Sequence, residues 1–187
     1  MKPQIQMTKS NSRLSLVFYG DPILRKQVED IIDFTPLSGM IEKMLNIMYE
    51  ENGIGLAANQ VGLSLNLLVL DTSNVEGEFD SEPYIFINSQ IIKKEGAIIM
   101  EEGCLSVPNI RAEIERPETI TLKYQDLDEN FHENTFTGLV SRIIQHELDH
   151  LQGKLFIDYL PPAKKILINK QLLEIANRGI PSTGIIL

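Results

Sequence analysis

The sequence predicts an α+β fold in which antiparallel β-sheets pack around a buried central helix that carries metal ligands. One further helix is expected N-terminal to this unit and one C-terminal to it. Short segments rich in β-branched residues follow one another between positions 66 and 135. A segment from 138 to 153 has apolar residues at helical spacing around most of its circumference. Strands followed by helices are typical of α+β domains.

The individual elements follow from local signals along the chain. The first helix is predicted to begin at Pro36 or Ser38 and to end at Glu51, before Asn52-Gly53. The last helix is predicted over residues 161–179, because the prolines at 161 and 162 suit a first helical turn. The strand candidates between them are Asn66–Asp71, Tyr84–Asn88, Gln90–Lys94, Ala97–Met100, Glu118–Tyr124 and Phe131–Thr135.

Size and composition limit the class of protein. A chain of 187 residues fits a single domain, 1–187, and its polar first thirteen residues are predicted to be a flexible tail. The net charge of −9 argues against direct binding of nucleic acid, which requires a basic surface. No apolar run approaches the ~20 residues that span a membrane, so no membrane contact is expected. A single cysteine is compatible with a reducing compartment, and we expect a cytoplasmic protein.

The central helix contains the sequence His146-Glu147-Leu148-Asp149-His150. Histidines four residues apart lie on the same face of a helix, so both imidazoles can reach one metal ion. The glutamate beside the first histidine can then face a water on that metal. Asp149 is expected to lie outside the metal shell because it points away from the histidine face. The pattern therefore combines metal ligands with a proton-transfer group and indicates hydrolysis.

The third ligand of this site is open on local grounds. Catalytic sites of the zinc type use three protein ligands and leave one position for water. A histidine six residues after the second motif histidine would be one option, but that position holds Phe156. Glu174 on the last helix is a second candidate. Cys104, the only cysteine, is a third, because thiolate is a strong ligand for divalent transition metals.

Three segments of the chain belong together. They are Gly53-Ile54-Gly55-Leu56-Ala57-Ala58-Asn59-Gln60, Glu102-Gly103-Cys104-Leu105-Ser106 and Gln145-His146-Glu147-Leu148-Asp149-His150. In combination and in this order they resemble the peptide deformylase family, most closely its bacterial type. Similar sequence continues outward, so that the likeness covers roughly residues 15–160. One departure is Arg142, which stands where some relatives carry an apolar residue and could change the rim of the substrate pocket.

The resemblance implies a role for each matching position. The residues implied to bind one divalent metal ion are Cys104, His146 and His150. Fe(II) is favoured by the resemblance, with Zn(II), Ni(II) or Co(II) as other candidates. The residues implied in catalysis are Glu147 as general acid and base, and Gln60 and the backbone N–H of Leu105 as oxyanion donors. The residues implied in substrate binding are Ile54, Gly55, Gly103 and Leu139. Arg111 and Arg116 could pair with Glu101 or Glu102, or with substrate carbonyls.

The implied reaction is removal of the formyl group from the N-terminal formylmethionine of nascent polypeptides, with release of formate. Metal-bound hydroxide would attack the formyl carbonyl. The C-terminal helix, with Lys164, Lys165 and Lys170, is implied to be able to contact the ribosome. The alternative hypothesis is a zinc metalloendopeptidase that uses the same two histidines with Glu174 as third ligand.

Overall fold

The computed structural model describes residues 14–76 and 82–178, and within them the chain forms three α-helices and seven β-strands. The helices are α1 (Leu37–Glu50), α2 (Gly138–Leu151) and α3 (Pro162–Arg178). The strands are β1 (Gly55–Ala57), β2 (Leu67–Leu70), β3 (Tyr84–Glu95), β4 (Ile98–Cys104), β5 (Val107–Arg116), β6 (Thr119–Gln125) and β7 (Phe131–Thr137). Short 3-10 helices span Pro22–Arg25, Ala58–Val61 and Phe156–Tyr159.

The strands form two sheets with antiparallel pairing. Five of them lie in the order β1-β2-β3-β6-β7, and β4 and β5 form a separate two-stranded sheet. One helix precedes these sheets and two follow them. The predicted α+β class, with antiparallel sheets around a buried helix and with a helix at each end of the unit, is confirmed.

Both faces of the five-stranded sheet are covered where it holds β2. The side chains of a strand alternate between faces, and all four residues of β2 are buried. Leu67 and Val69 pack in the core that α1 closes, whereas Leu68 and Leu70 pack in the core that α2 closes. The strand is therefore a continuous apolar run, because each face has its own helix.

The two-stranded sheet packs into a third core. Ile110 and Ile114 of β5 lie there with Phe156 of the last 3-10 helix and Leu172 of α3. Cys104, at the end of β4, is part of the same core and is only 2% exposed. This packing brings the cysteine segment against α2.

The strand predictions differ from the structure in four strands. Strand β1 was not predicted, and β4 continues past its predicted end at Met100 to Cys104. The other two are β3 and β5. The segments Tyr84–Asn88 and Gln90–Lys94 are one strand, β3, with an irregularity between Ile87 and Gln90. Asn88 takes a positive φ of 52° there, which interrupts the alternation without ending the pairing. Strand β5 was not predicted, because Pro108 is a typical strand breaker, yet proline is tolerated near the start of a strand.

The helix predictions agree with the structure within one or two residues at each described end. Residues 1–13, predicted as a flexible tail, and residue 179 lie outside the described part of the chain. Among the described residues, no helix combines the length and the apolarity that crossing a membrane requires.

Candidate active site

Helix α2 presents its two histidines from inside the protein. The segment from Val140 to Leu151 is buried throughout, and the rings of His146 and His150 lie 5.1 Å apart between centroids. The helix begins directly after β7 at Gly138, whose φ of +60° is a conformation that glycine adopts without steric cost. The sharp change from strand to helix allows α2 to run back across the sheet.

Cys104 lies beside these histidines. Its Sγ is 3.1 Å from Nε2 of His150, and the ligand atoms of Cys104, His146 and His150 all lie within 4.8 Å of one another. The pairing of β4 with β5 shifts register between Glu102 and Cys104. A sulfur and two ring nitrogens are a donor set that suits divalent transition metals. These three residues could therefore hold one such ion.

The electrostatic surroundings of the histidines also suit a cation. Burial alone would lower the pKa of His146, but hydrogen bonds to Cys104 and Glu102 outweigh burial and raise that pKa well above its usual value. Burial, assisted by the charge of His146, lowers the pKa of His150 well below its usual value. The groups around His146 thus favour a positive charge at this place, whereas His150 stays in the neutral form that ligates metals.

Glu147 lies in close contact with β1. Its side chain is buried, and a Cβ at Gly55 would stand 2.7 Å from its Oε1. Only glycine therefore lets the strand approach the carboxylate this closely. Burial raises the pKa of Glu147 to about 7, although His146 and a backbone hydrogen bond from Ala57 act in the opposite direction. A carboxyl group with such a pKa can both accept and release a proton near neutral pH.

Gln60 is held in one orientation. Its Oε1 accepts a hydrogen bond of 2.7 Å from the backbone N–H of Ala57, so the Nε2 group must face the other way. Nε2 lies 3.7 Å from Sγ of Cys104 and 3.4 Å from Oγ of Ser106. The side chain is 1% exposed. A neutral amide donor is thus fixed beside the candidate metal ligands.

A buried network of ion pairs supports His146. Its Nδ1 donates to Oε2 of Glu102 at 2.9 Å, since a carboxylate accepts, and this leaves Nε2 for a metal. Arg116 donates to both oxygens of Glu102 and, through Nη1, to Oδ2 of Asp149 at 2.6 Å. The Arg142 guanidinium donates to Glu102 as well. Burial raises the pKa of Glu102, but the bonds from His146 and Arg116 reverse this and hold it well below its usual value.

The structure identifies the ion-pair partners of Arg111 and Arg116. Arg116 pairs with Glu102, and Arg111 pairs with Glu101 at 3.2 Å. Asp149 holds Arg116 and accepts from the Tyr159 hydroxyl at 3.0 Å, so it is engaged outside the ligand set. The sequence pointed to Glu102 and Arg116 as a candidate pair, but it gave no signal for the contact between Arg116 and Asp149.

An apolar cavity of about 260 Å³ opens beside His146. Its lining contains three of the predicted substrate-binding residues, Ile54, Gly103 and Leu139. The other residues of its wall are Met100, Glu101, Glu102, Arg142, Ile143, His146 and Glu147. Gly55 and Leu105 lie outside this wall. Arg142 is 4% exposed and belongs to the wall of this cavity.

The alternative third ligand is not at the site. Glu174 is exposed on α3, and among the described residues the group that converges with the two histidines contains Cys104 instead. The endopeptidase hypothesis therefore loses the ligand on which it depended.

A buried sulfur and two imidazoles beside a carboxylate and an apolar cavity define a metal-dependent hydrolase. The sequence matches the family described as Polypeptide deformylase over residues 14–166. The peptide deformylase of Chlorobium phaeovibrioides is 42% identical over 173 residues, which cover 89% of this chain and 88% of that protein. The chain belongs to the peptide deformylase family, as the sequence resemblance indicated.

Solved structures agree with this assignment. A peptide deformylase from Plasmodium falciparum superposes with a TM-score of 0.81 at 37% identity and covers 87% of this chain and 95% of its own. The enzyme from Thermus thermophilus gives a TM-score of 0.80 at 35% identity, over 87% of this chain and 96% of that one. Both similarities extend over most of each chain, so the fold as a whole is shared.

Proposed function

We propose that the protein removes the formyl group from the N-terminal formylmethionine of nascent polypeptides and releases formate. The observation that carries this proposal is the convergence of Cys104, His146 and His150 within 4.8 Å, next to a buried glutamate and an apolar cavity. A site of this kind supplies ligands, a base and a place for one apolar side chain. The family membership gives the reaction that these parts serve.

The residues of the chain have separate tasks in this hydrolysis. A divalent cation, when bound, supplies the Lewis acidity that makes water a nucleophile near neutral pH. The Glu147 carboxylate accepts the proton of that water and delivers it to the leaving nitrogen. Nε2 of Gln60 and the backbone N–H of Leu105 donate hydrogen bonds to the oxygen that gains negative charge. Because Gln60 is already fixed by Ala57, little reorganisation accompanies its contribution.

The cavity gives the substrate its position. Its apolar residues, Ile54, Met100, Leu139 and Ile143, suit an unbranched apolar side chain such as methionine. We propose that the backbones of Gly55 and Gly103 contact the main chain of the substrate. The formyl carbon would then lie near Glu147, which lines the same cavity.

The native metal and the location are parts of the same proposal. We favour Fe(II), with Zn(II), Ni(II) or Co(II) able to occupy the same donor set. A free thiol that serves as a ligand is best preserved in a reducing compartment, which supports action in the cytoplasm. Metal analysis of anaerobically purified protein identifies the native metal directly.

Ribosome contact is proposed through α3. This helix combines the basic residues Lys164, Lys165 and Lys170 with the exposed apolar residues Ile166, Leu167 and Leu173. Co-sedimentation with ribosomes at low salt should be lost when the three lysines are replaced by glutamate. Failure of the unchanged protein to co-sediment would contradict this part of the proposal.

Formate release from a formyl-Met peptide tests the activity itself. Glu147→Ala should retain the metal and lose turnover by about 10²–10⁴-fold, because only proton transfer is removed. Cys104→Ala should bind the metal far more weakly, since one of three ligands is gone. Cleavage of an internal peptide bond without formate release would overturn the proposed reaction.

Gln60→Leu tests the amide donor. The substitution keeps the volume of a buried side chain, and we expect turnover to fall by about 10²–10³-fold, the usual cost of one oxyanion donor. Circular dichroism and metal content should match the wild type. An unchanged rate would remove Gln60 from the reaction.

A further inference from the structure

Arg142 is a buried cation to which the proposed function gives no task. Its Nη1 donates to Oε1 of Glu102 at 2.8 Å and to the carbonyl oxygen of Ile114 at 3.0 Å. Its Nη2 donates to the carbonyl oxygen of Ile98 at 2.6 Å. One side chain of α2 is therefore bonded to β4, the strand that delivers Cys104 to the site, and to β5, which pairs with it.

The contact with Glu102 has a particular geometry. Arg142 and His146 are four residues apart on α2 and so lie on the same face of the helix. Arg142 bonds Oε1 of Glu102, and Nδ1 of His146 bonds Oε2 of the same carboxylate. Arg116 reaches both oxygens from β5. Arg142 and His146, one turn apart on the same face of α2, thus each bond one oxygen of the Glu102 carboxylate. Rotation of this carboxylate would break several hydrogen bonds at once.

The orientation of this carboxylate matters for metal binding. A histidine ligand usually donates its second N–H to a partner that sets the direction of the ring, and loss of such a partner typically costs about 10–100-fold in metal affinity. Glu102 is that partner for His146. Whatever fixes Glu102 also fixes the direction in which Nε2 of His146 points.

We propose that Arg142 is a positioning residue for the metal centre, acting through Glu102 on the imidazole of His146. This inference rests on the proposed metal site but not on the identity of the substrate. It differs from a purely structural role, in which Arg142 would only hold the β4–β5 sheet against α2 through the carbonyls of Ile98 and Ile114.

Co(II) binding to the full-length protein separates the two roles without substrate. The variants are Arg142→Met, Glu102→Gln and the double variant. Lys93→Met, which removes an exposed ion pair with Glu95, is the matched control. The dissociation constant is measured by competition with a chelator, and the ligand-field absorption bands of the bound Co(II) report the geometry of the ligands.

We expect each single variant to weaken Co(II) binding by about 10–100-fold and to shift the absorption bands. The double variant should bind Co(II) no more weakly than the weaker-binding of the two single variants, because both changes act on the same contact between Glu102 and His146. Lys93→Met should behave as the wild type. Wild-type affinity and bands in Arg142→Met, or full additivity in the double variant, would overturn the proposal.

Arg142→Lys keeps the proposal testable if Arg142→Met does not fold. Lysine can offer Glu102 a donor but lacks the planar fork that also reaches the two carbonyls. Affinity between those of the wild type and Glu102→Gln supports the proposal, and affinity no better than Glu102→Gln contradicts it. A protein that binds Co(II) in this pattern yet releases no formate would contradict the proposed reaction alone.

Discussion

At the scale of single residues, the position of Glu147 depends on residue 55 being a glycine. A Cβ at Gly55 would stand 2.5 Å from Cγ2 of Ile143 and 2.7 Å from Oε1 of Glu147. Gly55→Ala should therefore displace the carboxylate and lower kcat by about 10²-fold, since a shift of about 1 Å at a reacting group has that effect. Metal content should not change, because the added methyl group meets Ile143 and Glu147 rather than a ligand.

Gly39→Ala in α1 is the control for this substitution. Within the described chain, no atom lies within 4 Å of the added Cβ, and alanine favours the helix by up to about 1 kcal/mol. Steady-state kinetics and urea unfolding of both variants give the comparison. Wild-type kcat in Gly55→Ala would mean that Glu147 does not need the position that it occupies here.

The residues of the site differ in how far sequence could identify them. The local pattern of His146, Glu147 and His150 indicates a metal site by its spacing alone. Cys104 was identified as a ligand from the family resemblance and from the affinity of thiolate for transition metals. The bonds from Arg142 to Glu102 and from Arg116 to Asp149 join residues 40 and 33 positions apart. Such pairs leave no periodic trace, so only the folded chain assigns their partners.

At the scale of elements, both junctions of α2 are glycines with positive φ, Gly138 at +60° and Gly153 at +72°. They differ in surroundings, since a Cβ at Gly138 meets no described atom within 4 Å but one at Gly153 would stand 2.6 Å from the carbonyl oxygen of Arg25. Gly138→Ala should lower the free energy of unfolding by about 1–2 kcal/mol from backbone strain alone. Gly153→Ala should lower it by roughly 2–5 kcal/mol, because overpacking is added.

Urea denaturation of the two variants measures this difference. Gly138→Ala serves as the control for backbone conformation, so the excess loss in Gly153→Ala isolates the contact with Arg25. Equal losses would show that the chain around residue 25 moves aside without cost.

Periodicity predicted the long elements and failed where a local feature interrupted it. Apolar residues at helical spacing in α1, such as Ile41, Met44 and Met48, and the apolar circumference of α2 predicted these helices within a residue or two. The prediction divided β3 after Asn88. In the structure the strand continues, while the Asn88 side chain leaves the alternation and bonds the backbone of Ile31. Strand β1 is only three residues long, too short for any period to be recognised.

At the scale of the whole molecule, the candidate ligands come from elements that belong to different cores. Cys104 packs in the core formed with α3, whereas the neighbours of the histidines on α2, such as Ile144 and Leu148, pack against the five-stranded sheet. A metal ion held by Cys104, His146 and His150 would therefore join the two-stranded sheet to the central helix. Metal binding should then stabilise the molecule as a whole rather than one segment.

Removal of the metal should consequently lower the melting temperature of the whole chain. A ligand at 100 times its dissociation constant stabilises the folded state by about 2.7 kcal/mol. For a chain of 187 residues this corresponds to about 5–10 °C. Differential scanning calorimetry with and without a chelator measures the shift. Cys104→Ala should melt at nearly the same temperature in both conditions, because it binds the ion too weakly to gain stability. A chelator effect of equal size in Cys104→Ala would mean that the stabilising ion binds elsewhere and that the sulfur does not link the β4–β5 sheet to α2.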